Sequence, residues 1–213
     1  MSQPQRRPFF AWPGWNHLIF AWLLTLVVTL WFGVVFKGAD WITAHRELRV
    51  RVHLTAELSI PLVPWFTLFY MSIYALFLAA PFVLRSRFEV LNLAMSQALA
   101  TAIAGIFFLL IPASLAYQTP TDSELGIWRG IFNFADRLNL NYNLVPSLHV
   151  ALGIICIEWF ALHASSSGKA WLRAWGAMIA ASTILTHQHH LVDALTGYLL
   201  AFAVVKCVRW RKH

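Results

Sequence analysis

Two short stretches gather the side chains able to do chemistry: THQHHLVD at residues 186–193 and NLVPSLHV at residues 143–150. In the first, His189 and Asp193 are four residues apart, so a helix sets both on one face. A carboxylate at that offset holds the second N–H of an imidazole, which fixes the tautomer and raises the ring's basicity. In the second, Pro146 suits the first turn of a helix, where its missing N–H would have no partner anyway, and Ser147 and His149 fall in that turn. A helix start attracts anions through free backbone N–H groups and the positive end of its dipole. The Ser147 hydroxyl adds one more donor for a phosphate oxygen. These parts fit phosphoryl transfer, in which an oriented histidine attacks phosphorus, a second protonates the leaving alcohol, and helix-end donors hold the phosphoryl oxygens. Such a reaction is mainly positioning and charge stabilisation, and it requires no metal or other cofactor.

The elements that must position these residues are membrane helices. Of the 213 residues, 59% are apolar, 15% aromatic and only 12% charged, against about one quarter charged in a soluble domain. Uncharged runs at Pro8–Phe36, Leu58–Leu84 and Val90–Thr121 each exceed the roughly 20 residues that cross a bilayer core. They are continuous rather than alternating, which excludes a porin-like barrel. The fold class expected is all-α: a single polytopic domain over 1–213, with six spans at about 18–36, 60–84, 91–113, 146–164, 171–187 and 190–208 and an outer loop at 114–145. With the N-terminus inside, ten Lys and Arg fall in inner segments (Arg6, Arg7, Arg85, Arg87, Lys169, Arg173, Lys206, Arg209, Arg211, Lys212). Six fall outside (Lys37, Arg46, Arg49, Arg51, Arg129, Arg137). The positive-inside rule then sets both termini in the cytoplasm, as in a bacterial inner membrane, with the polar clusters facing the periplasm or exterior. The net charge of +7 serves this bias and anionic lipid head groups, and nothing points to nucleic acid. Arg6 and Arg7 anchor the first helix rather than form an export signal. Cys156 and Cys207 read as small core residues.

Counting spans has a chemical consequence, since the fourth and sixth helices then run in the same direction and start at the same rim. His149 and the 187–193 cluster, about forty residues apart in sequence, can meet there. Residues 38–58 hold LRVRVHL, whose alternation suits a surface-lying segment, helical or extended. Residues 114–145 form a loop long enough to have a task, shaping substrate access.

Other chemistries use such residues. HQHH is compatible with metal ligation, although desaturase-type di-iron sites need several such boxes. His149 and His163, fourteen apart on one helix, have a separation used by haem carriers. Glu158 lies about 13 Å deeper than His149 at the helical rise, with His163 as a natural buried partner. His190 reads as packed or facing a head group. A non-enzymatic or metal-binding membrane protein is the rival class.

PSLH at 146–149 and STILTHQHHLVD at 182–193 resemble the second and third signature motifs of the type 2 phosphatidic acid phosphatase superfamily, Pro-Ser-x-His and a segment ending in His-x-x-x-Asp. With IPLVPWFTLFYMSIY at 60–74, the likeness is nearest the inositol phosphorylceramide synthase-like branch and covers the chain from about residue 58 onward. The resemblance implies a membrane lipid phosphatase, or a head-group phosphotransferase using a lipid alcohol as acceptor. By it His189 is the nucleophile that forms a phosphohistidine, Asp193 its orienter, His149 the general acid and base, and Ser147 a phosphate ligand. The family's first motif, a lysine followed by Arg-Pro, has no counterpart: no Lys or Arg lies between Arg87 and Arg129, and the matching region reads IPASLAYQTP. Thr183 stands where the third motif carries arginine, and His187 where nearer relatives have lysine. Charge for the phosphate therefore comes from Arg129, Arg137 or protonated His187, or else the substrate is a diester bearing less charge.

Overall fold

The computed structural model describes residues 8–138 and 142–210. Arg6, Arg7, Arg211 and Lys212, which entered the comparison of inner and outer charge, lie outside the described residues. Regular structure among the described residues is helical: α1 (Trp15–Ala44), α2 (Thr67–Val83), α3 (Arg87–Leu110), α4 (Asp122–Leu125), α5 (Arg129–Leu138), α6 (Leu148–Phe160), α7 (Ser166–Leu185) and α8 (Leu191–Trp210). Single 3-10 turns cover Thr55–Ser59, Pro64–Phe66 and Gly126–Trp128, and Val50 makes an isolated parallel bridge to Ala113.

Four helices are long and apolar enough to cross a membrane: Trp15–Ala44, Pro64–Val83 (α2 with its 3-10 lead-in), Arg87–Leu110 and Leu191–Trp210. They make this an all-α membrane protein. The two other long helices differ from them in physical character. α6 is apolar but has 13 residues, a rise of about 20 Å against the roughly 30 Å of a hydrocarbon core. α7 has 20 residues but includes Ser166, Ser167, Lys169 and Arg173, and it is less apolar than the four.

Helix starts follow local chemistry. Ser86 caps α3, its hydroxyl accepting from the Glu89 N–H at 3.2 Å while the Glu89 carboxylate accepts from the Ser86 N–H at 3.1 Å. The Ser165 hydroxyl accepts from the Gly168 N–H at 3.2 Å and opens α7. Helix ends depart from the sequence expectation. α1 continues to Ala44 rather than stopping near residue 36, because a helix need not stop where its apolar run stops; Asp40, in this extension, accepts a hydrogen bond from the Tyr142 N–H at 3.1 Å. The 38–58 segment is thus partly helix, partly an edge contact at Val50, and partly the 3-10 turn at 55–59. The 114–145 segment carries α4 and α5.

The helices alternate in direction. The ends of α1, α3 and α7 gather with the starts of α2, α6 and α8, as the Val50 N–H to Pro112 carbonyl bond (3.0 Å), the Val63 N–H to Leu185 carbonyl bond (2.8 Å) and the Ser147 N–H to Asp193 carbonyl bond (2.9 Å) record. α6 runs through the middle, packed by α2, α3, α7 and α8, and all its residues except His149 and Leu152 are buried. Trp159 is fully buried and donates from Nε1 to the Ser96 hydroxyl of α3 at 3.2 Å.

Two expectations are corrected at the opposite end of the bundle. Glu158 pairs with Arg173 at 3.0 Å and its carbonyl accepts from Arg209, whereas His163 lies past the end of α6 and meets Glu89 at 3.1 Å. Glu158 lies nine residues past His149, half a turn out of phase on the helix, and the partner it meets on that face comes from α7. Cys156 is buried as expected; Cys207 is exposed, because α8 turns that side outward. Trp159→Ala should cost about 3–5 kcal/mol through the cavity it leaves, read as a lowered thermal unfolding midpoint in detergent with helical content unchanged.

Candidate active site

The two chemical stretches meet where α6 and α8 begin. The backbone N–H of Ser147 donates to the carbonyl of Asp193 at 2.9 Å, joining the two helix heads directly. Contact this close needs a residue without a side chain on the facing turn of α8, and Gly197 supplies it. A Cβ there would overlap the Ser147 carbonyl oxygen and approach the Ser147 Cβ to 3.2 Å. Pro146 precedes the helix rather than occupying its first turn, and Ser147 is the N-cap, its hydroxyl accepting from the Val150 N–H at 3.3 Å. The hydroxyl proton stays available to donate, although Ser147 is fully buried.

His189 and Asp193 pair as the four-residue spacing predicts, with His189 Nδ1 3.3 Å from Asp193 Oδ2. The same oxygen accepts from the His190 N–H at 2.8 Å, so Asp193 both orients an imidazole and closes the start of its helix. With Nδ1–H held by the carboxylate, Nε2 of His189 carries the lone pair. His149, in the first turn of α6, stacks on the Tyr70 ring of α2 at 3.7 Å, and its Nε2 lies 2.9 Å from the Tyr70 carbonyl oxygen. A carbonyl only accepts, so Nε2 bears the proton and Nδ1 is the basic atom. The His149 and His189 rings are near enough to interact electrostatically.

His187 stands in the left-handed region (φ 56°) just past the end of α7, a position that favours glycine. Two contacts hold it: Nε2 donates to the Ile60 carbonyl at 2.9 Å, and the ring stacks nearly parallel on Tyr117 at 4.0 Å. Gln188 reaches α5, donating to Asp136 at 3.3 Å. Arg129 pairs with Asp122 at 3.1 Å on an exposed part of the surface, and Arg137 is exposed on α5 next to the Asp136 tether. The structure therefore brings together His149, Ser147, His189, Asp193 and His187, and leaves Arg129 and Arg137 on the surface. Among the described residues no three His, Cys, Asp or Glu are disposed to hold a metal ion, and His149 and His163 lie at opposite ends of the bundle.

Residues that pattern reading missed complete the cluster. His190 is fully buried, with Nδ1 3.0 Å from Glu57 Oε1 and Nε2 accepting from the Ala116 N–H at 3.1 Å. Glu57, also buried, accepts from the Leu54 N–H and the Leu191 N–H, both at 2.9 Å. Tyr117 inserts its ring between His187 and His190, and His53 lies tilted against the His190 ring at 5.0 Å. Burial, with the Glu57 and Asp193 carboxylates nearby, pushes the Tyr117 phenol up to about 12. It thus remains a donor, to the Glu57 carbonyl at 3.2 Å. The IPASLAYQTP segment, lacking the basic residues of the resembled family, instead contributes an aromatic ring and a backbone N–H. The sequence offered one signal for Glu57, a lone acid in an apolar surrounding.

Comparisons with protein-family models, with characterised proteins and with solved structures find no match to this chain.

Gly197→Ala should separate the two helix heads and lower the unfolding midpoint, while Gly33→Ala, with nothing within 4 Å of its added methyl, should leave it unchanged or higher. Circular dichroism melts of the two variants in the same detergent make the comparison.

Proposed function

We propose that the protein is a membrane lipid phosphatase that removes phosphate from a lipid phosphate through a phosphohistidine, in the manner of the type 2 phosphatidic acid phosphatase superfamily. The observation that carries this reading is the pairing of His189 Nδ1 with Asp193 Oδ2 at 3.3 Å on a helix head joined to the head that bears Ser147 and His149.

The Nε2 lone pair of His189 attacks phosphorus as the P–O bond to the lipid alcohol breaks; His149, which takes up a proton on Nδ1 with the bound anionic substrate, passes it to the departing oxygen. Asp193 stabilises the cationic ring that results. Water then attacks phosphorus, losing its proton to His149 Nδ1, and the N–P bond breaks to release phosphate. The Ser147 hydroxyl and the start of α6 donate to the phosphoryl oxygens.

A six-span arrangement accompanies this reading, with α6 and α7 as the two further spans. α6 can be short because other helices, not lipid, surround it. Both termini then lie in the cytoplasm and the site opens on the periplasmic or exterior face of a bacterial inner membrane. The exposed Trp12, Trp15 and Trp41 suit interfacial anchoring.

One observation favours head-group transfer as a second reading. Glu57 and Asp193 lie against the histidines and Asp136 meets the adjacent Gln188, while Arg129 is taken up by Asp122 on the surface. Such a site suits a phosphodiester monoanion better than a monoester dianion, with a lipid alcohol taking the place of water.

His189→Ala and His149→Ala should each abolish turnover of radiolabelled lipid phosphates and diesters by purified protein in mixed micelles, and Asp193→Asn should reduce it at least about 100-fold. Turnover should persist in excess chelator, and acid-labile label should be trapped on wild-type protein but not on His189→Ala. Near-normal activity in either histidine variant, or loss of activity to chelator alone, would overturn the proposal.

A further inference from the structure

We infer that Glu57, acting through His190, is a positioning residue for the proposed phosphoryl-transfer reaction, on which this inference rests. Glu57 belongs to the 55–59 turn, far in sequence from either motif, yet its carboxylate is fully buried against the start of α8. Each of its oxygens is committed: Oε1 to the Leu54 N–H at 2.9 Å and to His190 Nδ1 at 3.0 Å, Oε2 to the Leu191 N–H at 2.9 Å.

The protonation pattern follows from these partners. His190 Nε2 accepts from the Ala116 N–H, so the ring's single proton sits on Nδ1, the atom that lies within ion-pair distance (3.0 Å) of Glu57 Oε1. The Leu191 N–H that meets Oε2 is one of the free donors at the start of α8, where the helix dipole favours an acidic side chain. The His190 backbone N–H meanwhile binds the Asp193 oxygen that orients His189. The line Glu57, His190, Asp193, His189 is therefore continuous, and it fixes the height and rotation of the α8 head. Stacking on Tyr117 and the tilted contact with His53 further restrict the His190 ring. Without Glu57 two backbone donors lose their acceptor and the His190 ring loses the carboxylate beside its Nδ1.

Glu57→Gln is the informative variant, because its amide must present an NH2 group to a donor in either orientation. Glu57→Asp keeps the charge on a shorter arm. Turnover of the lipid phosphates and diesters above should fall about 10- to 100-fold in kcat for Glu57→Gln, with KM changed less than about threefold and acid-labile label accumulating more slowly. Glu57→Asp should recover part of the loss, and His190→Gln combined with Glu57→Gln should be little worse than either alone. Amide hydrogen exchange at Leu191 and His190 should accelerate in Glu57→Gln, while the far end of α8 keeps its wild-type protection. Wild-type kcat in Glu57→Gln, or a loss confined to KM, would overturn the inference. Should the wild-type protein turn over no lipid phosphoester at all, the functional reading fails instead. The exchange measurement still judges whether Glu57 holds the α8 head: unchanged exchange at Leu191 would refute it.

Discussion

Two helix heads share one backbone hydrogen bond, from the Ser147 N–H to the Asp193 carbonyl, and the candidate site exists because of it. An N–H at a helix start has no partner within its own helix, so it must find one elsewhere when water is excluded. Here the partner is the neighbouring helix. The geometry tolerates no side chain at Gly197, which is why the two heads approach so closely. The same contact aligns the positive ends of two helix dipoles, so the donors of both point toward the region that His149 and His189 border.

That concentration of positive potential accounts for an otherwise costly feature. Glu57 and Asp193 are both fully buried, and burying an ionised carboxylate costs several kcal/mol after relaxation. Backbone N–H groups of Leu54, His190 and Leu191 offset that cost, each charge-assisted bond contributing about 1.5–3 kcal/mol. The acids are therefore part of how α8 starts. Their presence also shapes what can bind, since carboxylates beside the histidines repel a doubly charged phosphate more than a singly charged one. In the 111–120 segment, which has no Lys or Arg, Tyr117 stacks on His187 and His190 and so organises the histidines through ring contact.

The remaining architecture serves to hold α6 and α8 in register. α6 is enclosed by four helices and can be short, while the lipid-exposed α1 and α3 carry long apolar stretches. At the other end of the bundle, Glu158 with Arg173, and Arg209 laid over Trp159, fasten α6 to α7 and α8. Polar contacts at both ends and apolar packing between them keep the rods from sliding, and sub-ångström placement of the site depends on that.

What the sequence determined by itself was everything set by local spacing or composition: apolar runs that must be helices, the pairing of His189 with Asp193, and a helix start close to Pro146 and Ser147, though not which of the two caps it. Parity of direction alone implied that the starts of α6 and α8 lie at one rim. Tertiary structure decided what depends on contacts between distant segments. Only it could show that Glu57 lies against His190, that Tyr117 lies between two histidines, that Glu158 pairs with Arg173 rather than His163, and that Arg129 is held by Asp122. Helical periodicity fixes which face a side chain occupies, but a buried charge takes whichever partner the packing of other helices delivers, and no single segment encodes that partner.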